Sequence, residues 1–168
     1  MHMPNIHHQL IIEVSPEKIY KGITSTEGLA GWWTPDVTAK PEVGAVARFP
    51  FGPDYFKEMR ILELTPPELV RWQCIHGAEE WIDTVLSFRL EPCDEETILH
   101  GHSEMTDQVQ QQTKKKGTLL TFHHDNWKGY SPMFAECNYT WGQFLRSLKL
   151  LCETGKGRPW PNQHKVEA

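Results

Sequence analysis

Apolar and polar side chains alternate along much of the first three quarters of the chain. Residues 6–14 are typical of a β-strand with one buried side, whose members are Ile6, His8, Leu10, Ile12 and Val14. The same alternation, bounded by Gly, Pro and Asp turn signals, predicts further strands at residues 44–51, 57–65, 69–76, 81–91 and 118–124. This pattern is typical of an antiparallel sheet that buries one face.

Three segments show the three- and four-residue spacing of helices. Ser15, Pro16 and Glu17 form a helix start, so the sequence predicts a short helix over residues 16–23. A second short helix begins at residues 25–27 and ends before Pro35. Residues 132–153 form a long amphipathic helix, and Gly155 is its natural stop.

The remaining segments are polar. Residues 97–102 are a further strand candidate, and the stretch near 103–117 is predicted to be an exposed insertion. Residues 1–155 are interpreted as one domain, and residues 156–168 as a polar C-terminal tail.

These elements predict an α+β fold of the helix-grip type. In this fold a curved antiparallel β-sheet wraps around a long C-terminal α-helix, and two short helices follow the first strand. A sheet with one buried face needs a cover, and a helix of about 20 residues spans roughly 30 Å, which is enough to cross it. We expect a space for a small molecule between the helix and the bent sheet.

Composition excludes several classes of function. The formal net charge of −5 argues against nucleic-acid binding, and the basic run at residues 114–116 is interpreted as a solvated loop. No apolar run approaches the length of a membrane helix, and the N-terminus lacks the pattern of a secretory signal. The four cysteines contain no Cys-x-x-Cys pair, so reduced thiols in a cytoplasm are expected.

Few residues suggest catalysis or metal binding. The chain has no nucleophile elbow, P-loop or dinucleotide motif, so no catalytic residue and no cofactor are predicted. His100, His102 and Glu104, with His123 and His124, form no compelling ligand set, and surface histidines are the preferred interpretation. His124, beside Phe122, is expected to orient a polar ligand head group.

Seven tryptophans, seven phenylalanines and four tyrosines are a large aromatic stock for one domain. Adjacent helical positions face different directions, so one of Trp32 and Trp33 is expected to cap the core and the other to line a cavity. A packed core would explain the other inward-facing rings equally well. The candidate ligand-binding residues are Trp33, Trp72, Phe88, Phe122, His124, Phe134 and Trp141.

Several phrases in this order resemble the Bet v 1-like (START-like, SRPBCC) superfamily, in its branch named after the activator of Hsp90 ATPase (AHSA1-like). They are residues 14–20 (VSPEKIY), 24–33 (TSTEGLAGWW), 61–72 (ILELTPPELVRW), 117–127 (GTLLTFHHDNW) and 141–149 (WGQFLRSLK). The resemblance covers about residues 6–155, and the segment near 100–117 is longer than the family pattern.

The resemblance and the aromatic stock leave three functions open. The first is binding or carriage of a small hydrophobic ligand, a lipid or aromatic metabolite, in an internal cavity. The second is a protein-interaction role with a chaperone partner, which a filled interior would favour. The third is an enzyme such as a cyclase or hydrolase, which a buried group with a shifted pKa would favour. An exposed sheet edge is compatible with a homodimer.

Overall fold

The fold is a six-stranded antiparallel sheet covered on one face by helices. The computed structural model describes residues 3–94 and 116–166, together with residues 96, 104 and 107. Within them the strand order is β1-β6-β5-β4-β3-β2. The strands are β1 Ile6–Ile12, β2 Val46–Pro50, β3 Phe56–Thr65, β4 Leu69–His76, β5 Val85–Asp94 and β6 Lys116–Asp125. The helices are α1 Pro16–Thr24, α2 Thr26–Trp32 and α3 Pro132–Thr154, and Glu79–Trp81 form a short 3-10 turn.

This architecture confirms the predicted helix-grip fold, with two corrections at strand ends. The strand predicted over 81–91 begins only at Val85, because Trp81 belongs to the 3-10 turn and Asp83 has a positive φ of 71°. Strand β6 begins at Lys116, inside the segment predicted as an insertion. The strand predicted over 97–102 and most of the insertion lie outside the described residues.

Serine hydroxyls cap the three helices, and Ser15 and Ser25 do so as the sequence predicts. The Ser15 hydroxyl accepts a hydrogen bond from the Lys18 N–H at the start of α1. Ser25 serves two helices, because its N–H donates to Lys21 O and its hydroxyl accepts from the Gly28 N–H. Ser131 caps α3 through the Phe134 N–H, and Gly155 ends that helix with a φ of 88°.

The segment after α3 folds back onto the domain. The Arg158 N–H donates to the Ser147 hydroxyl at 2.6 Å, and the Trp160 N–H donates to Trp33 O at 2.8 Å. The Trp160 ring packs against Phe51 with a centroid distance of 5.9 Å. Part of the predicted polar tail therefore covers the aromatic core near α2.

Helices α1 and α2 approach each other most closely at two glycines. A Cβ atom added at Gly28 would lie 2.6 Å from both the Cα and the carbonyl oxygen of Gly22. That same oxygen accepts the indole N–H of the buried Trp32 at 2.9 Å. A side chain at position 28 would therefore force the helices apart and disturb a buried hydrogen bond.

We expect Gly28→Ala to lower the free energy of unfolding by about 1–3 kcal/mol, as overpacking does. In a free helix the same change would be stabilising, so a loss isolates the close approach. Urea denaturation measures the effect. Gly129→Ala is the control, because a Cβ there would meet no atom within 4 Å. Equal unfolding midpoints for the two variants would contradict this reading.

Candidate functional site

Five of the predicted ligand-binding rings form a closed circuit of contacts. They are Trp33 at the end of α2, Trp72 on β4, Phe88 on β5, Phe122 on β6 and Trp141 on α3, and we call them the aromatic pentad. Successive centroid distances around the circuit are 6.0, 5.1, 5.0, 4.4 and 5.2 Å. These are ordinary contact distances for aromatic pairs. Each pentad ring therefore contacts two other rings of the pentad.

The sheet register places the pentad. Phe88 pairs with Phe122 across β5 and β6, and Trp72 pairs with Leu86 across β4 and β5, so these side chains share the inner face. Trp141 reaches this face from α3. All five pentad side chains are 2% exposed or less.

Trp32 and Trp33 both pack into the core, although adjacent helical positions were expected to face different directions, and a cavity-lining role for Trp33 stays a prediction. Both are buried, with exposures of 0% and 1%, and their rings stack at 5.9 Å. Helix α2 ends at Trp32, and Trp33 is its C-cap residue, so the helical spacing that would separate them stops there. Phe49 on β2 also covers Trp33, with a centroid distance of 4.4 Å.

Phe134 lies apart from the pentad. Its ring contacts Trp127 and Tyr130, with centroid distances of 5.4 and 5.3 Å. Trp127 is fully buried, and its indole N–H has no acceptor among the described residues. Sequence spacing did not single out Trp127, which follows the last predicted strand, or Trp81, which was predicted as the first residue of a strand that begins only at Val85.

His124 is held between the pentad and the 3-10 turn. The Trp141 indole N–H donates to His124 Nδ1 at 3.1 Å, so the ring proton lies on Nε2. Nε2 then donates to the Thr84 hydroxyl at 2.8 Å, and that hydroxyl donates to Trp81 O at 2.6 Å. Burial, followed by the charge of Lys57, lowers the pKa of His124 to about 3.

Both ring nitrogens of this neutral imidazole are therefore used within the protein. A ligand could bind His124 only by replacing Trp141 or Thr84 as its partner. A ligand contact at His124, like ligand binding by the other six candidate residues, stays a prediction.

Other polar clusters lie at the surface. His7 stacks on His123 at 4.1 Å, and the His123 ring lies 3.7 Å from the Asp125 carboxylate. The described residues contain no group of three or more His, Cys, Asp or Glu side chains suited to a metal ion. His100 and His102 lie outside them. No described helix has both the length and the apolar character needed to cross a membrane.

Three pockets on the described surface lie away from the pentad. One lies between α1, α2 and the end of α3, beside Lys18, Ser25 and Cys152. A second lies at the start of α1 near Lys116. A third lies between Leu150 of α3 and the C-terminal segment that packs back onto the domain. No pentad residue lines any of the three, so these pockets are separate from the predicted cavity.

Known structures share this fold. The solution structure of the Aha1 dimer from Colwellia psychrerythraea is 34% identical, with a TM-score of 0.72, over 92% of this chain and all of that chain. A protein from Mesorhizobium loti is 19% identical, with a TM-score of 0.62, over 88% of this chain and 96% of its own. One from Nitrosomonas europaea is 17% identical, with a TM-score of 0.63, over 90% and 96%. No protein with a curated description matches.

The antiparallel sheet, the long helix α3 and the aromatic interior define an α+β helix-grip domain of the Bet v 1-like superfamily. Residues 13–153 match the model of the family described as activator of Hsp90 ATPase homolog 1-like protein. The chain belongs to this family, as its sequence resemblance implies.

The buried, neutral His124 makes stability depend on pH. Its pKa is about 3 in the folded protein and ordinarily 6.5, so between these values the unfolded chain binds more protons. The free energy of unfolding should therefore fall as pH falls from 6.5 towards 3, by up to about 1.4 kcal/mol per pH unit from this group. Urea titrations at pH 7 and pH 5 would show the loss.

His124→Gln should have a shallower pH dependence than the wild type, whereas His164→Gln, at an exposed position, should not. Nitrogen-15 NMR of the imidazoles provides a test without substitution. An unprotonated Nδ1 and a protonated Nε2 at pH 7 are expected for His124, and the opposite tautomer would contradict the assignment.

Proposed function

We propose that this protein acts by binding another protein, and that its partner is a chaperone of the Hsp90 class. The observation that carries the proposal is the closed aromatic pentad. Rings that contact one another between the sheet and α3 support a rigid scaffold whose surface does the binding. The free thiols of its four cysteines are consistent with work in a reducing cytoplasm.

The similarity to the Colwellia Aha1 protein supports the same proposal. The match reaches 34% identity and includes the whole length of that chain. It is therefore a likeness of complete domains, and the family name itself refers to activation of the Hsp90 ATPase.

Carriage of a small hydrophobic ligand is the second candidate. One observation favours it: the fully buried Trp127 indole N–H has no acceptor among the described residues. A buried donor without a partner is costly, so a ligand oxygen there would be stabilising. Binding within the pentad itself would require ring contacts to separate. The neutral His124, with both nitrogens engaged, gives no support to an acid–base enzyme.

The full chain should bind the Hsp90-class chaperone of its own organism and raise that chaperone's ATPase rate in a saturable way. Calorimetry would measure the binding, and a coupled assay would measure the rate. Phe122→Leu, a conservative interior change, should leave both unchanged if the outer surface makes the contact. A folded protein that neither binds nor stimulates the chaperone, yet saturably binds lipids or aromatic compounds with a change in Trp fluorescence, would instead support the carrier function.

We also propose that the chain forms a homodimer, as its Colwellia relative does. Among the described residues β1 and β2 are the end strands of the sheet; Lys149 Nζ of α3 donates to Ile11 O of β1 at 2.6 Å, and Thr38 bridges to Arg48 of β2. Sedimentation at micromolar concentration should give a mass near twice 19.5 kDa. A monomer at every accessible concentration would contradict the proposal.

A further inference from the structure

One lysine lies on the inward face of the sheet. In β3 the buried positions Lys57, Met59 and Ile61 alternate with more exposed ones, so the Lys57 side chain extends towards the aromatic core. Lys57 is only 9% exposed, which is rare for a lysine. Sequence analysis did not single it out, because it lies at the beginning of its strand among polar residues.

Three aromatic rings surround its ammonium group. The Nζ atom lies 4.0 Å from the ring centroid of Phe51, 4.5 Å from that of Trp81 and 4.8 Å from that of Tyr55. Each distance is within the range of a cation–π contact. These rings stabilise the positive charge, but their faces provide no oxygen acceptor for its three N–H donors.

No described residue accepts a hydrogen bond from Lys57 Nζ or forms an ion pair with it. The thiols of Cys74 and Cys137 are its electrostatic neighbours. Burial raises the pKa of both thiols, that of Cys74 to about 11, so neither is a thiolate at neutral pH. Glu80 on the nearby turn accepts from the Ser131 hydroxyl instead. Lys57 keeps an exposed fraction of 9%, and Nζ is not among the fully enclosed polar atoms without a partner.

The connection between β4 and β5 shapes this site. Gly77 has a φ of 151°, and a Cβ there would lie 3.4 Å from Lys57 Cγ and 3.5 Å from the Tyr55 hydroxyl. The Tyr55 hydroxyl accepts the Ala78 N–H at 3.0 Å, which fixes the connection over the lysine. Trp81 follows in the 3-10 turn. Phe51 and Tyr55 belong to the connection between β2 and β3. The site is therefore built by this connection and the one between β4 and β5, which lie at the same end of the sheet.

We propose that Lys57 binds the carboxylate of a small organic acid, whose apolar part lies against the rings of Phe51, Tyr55 and Trp81. A carboxylate would supply both the missing acceptors and the missing negative charge, and hydrogen bonds between charged groups are the strong ones. The rings would contact a short aromatic or aliphatic body. This site is independent of the proposed chaperone contact, so either can fail while the other holds.

The test uses the full chain and three pairs of probes: benzoate with benzamide, phenylacetate with phenylacetamide, and hexanoate with hexanamide. At pH 7, calorimetry should show saturable binding of at least one acid, and its amide should bind about ten- to a hundredfold more weakly. Amide NMR shifts should be largest at Gly77 and Ala78. Equal affinity for acid and amide, or no binding of any acid to the folded protein, would overturn the proposal.

Lys57→Met keeps an unbranched apolar stem and removes the charge, so it should weaken acid binding to the level of the amide. Lys57→Arg should retain part of the binding. Lys40→Met, at an exposed position, is the control and should bind like the wild type. Circular dichroism verifies that each variant is folded. Unchanged acid affinity in folded Lys57→Met would contradict the assignment.

Acid binding should also weaken as pH rises. Burial lowers the pKa of Lys57 to about 8, so the free ammonium loses its proton over an accessible range. Burial raises the pKa values of Tyr55, Cys74 and Cys137, which face it, and lowers that of His124, so each of these shifts favours the neutral form. An affinity that is constant between pH 7 and pH 9.5 would argue against binding by Lys57.

Discussion

Mutual packing of five aromatic rings is the interaction on which this structure depends. The pentad takes one ring from each of α2, β4, β5, β6 and α3, so a single set of contacts joins both layers of the fold. Aromatic pairs contribute about 0.5–1.5 kcal/mol each beyond the area they bury. Because each ring contacts two others, the contacts of the pentad tie α3 and the end of α2 to the inner face of the sheet.

A polar atom in such an interior is costly unless it has a hydrogen-bond partner. The chain of hydrogen bonds from Trp141 through His124 and Thr84 to Trp81 O links α3, β6 and the 3-10 turn in a low-dielectric environment. Protonation of His124 would place a hydrogen on Nδ1, so that it would face the Trp141 indole N–H donor to donor. This contact, together with burial, favours the neutral imidazole. The same rule makes the unpartnered Trp127 and Lys57 notable, since each is an exception.

Sequence alone predicts most of the architecture but less of the site. Alternation identifies which strand residues face inward, and Ser15 and Ser25 identify helix starts, because both signals are local. Spacing does not give the distance between α3 and the sheet, so Phe122 and Trp141 could equally have faced a cavity or each other. Trp81 and Lys57 were missed because a turn and a strand end have no period that reveals their orientation.

The buried position of Lys57 connects the fold to the proposed binding of a carboxylate. A methionine would fill a similar volume among Phe51, Tyr55 and Trp81 without the desolvation of a charge, whereas the lysine gains the cation–π contacts with these rings. The lowered pKa of Lys57 reflects the desolvation of its ammonium group in the free protein. A bound carboxylate would reverse it, because a negative charge beside the ammonium favours its protonated form. The pentad thus stabilises the interior, whereas Lys57, at one end of the sheet, is a charged group without a hydrogen-bond partner among the described residues.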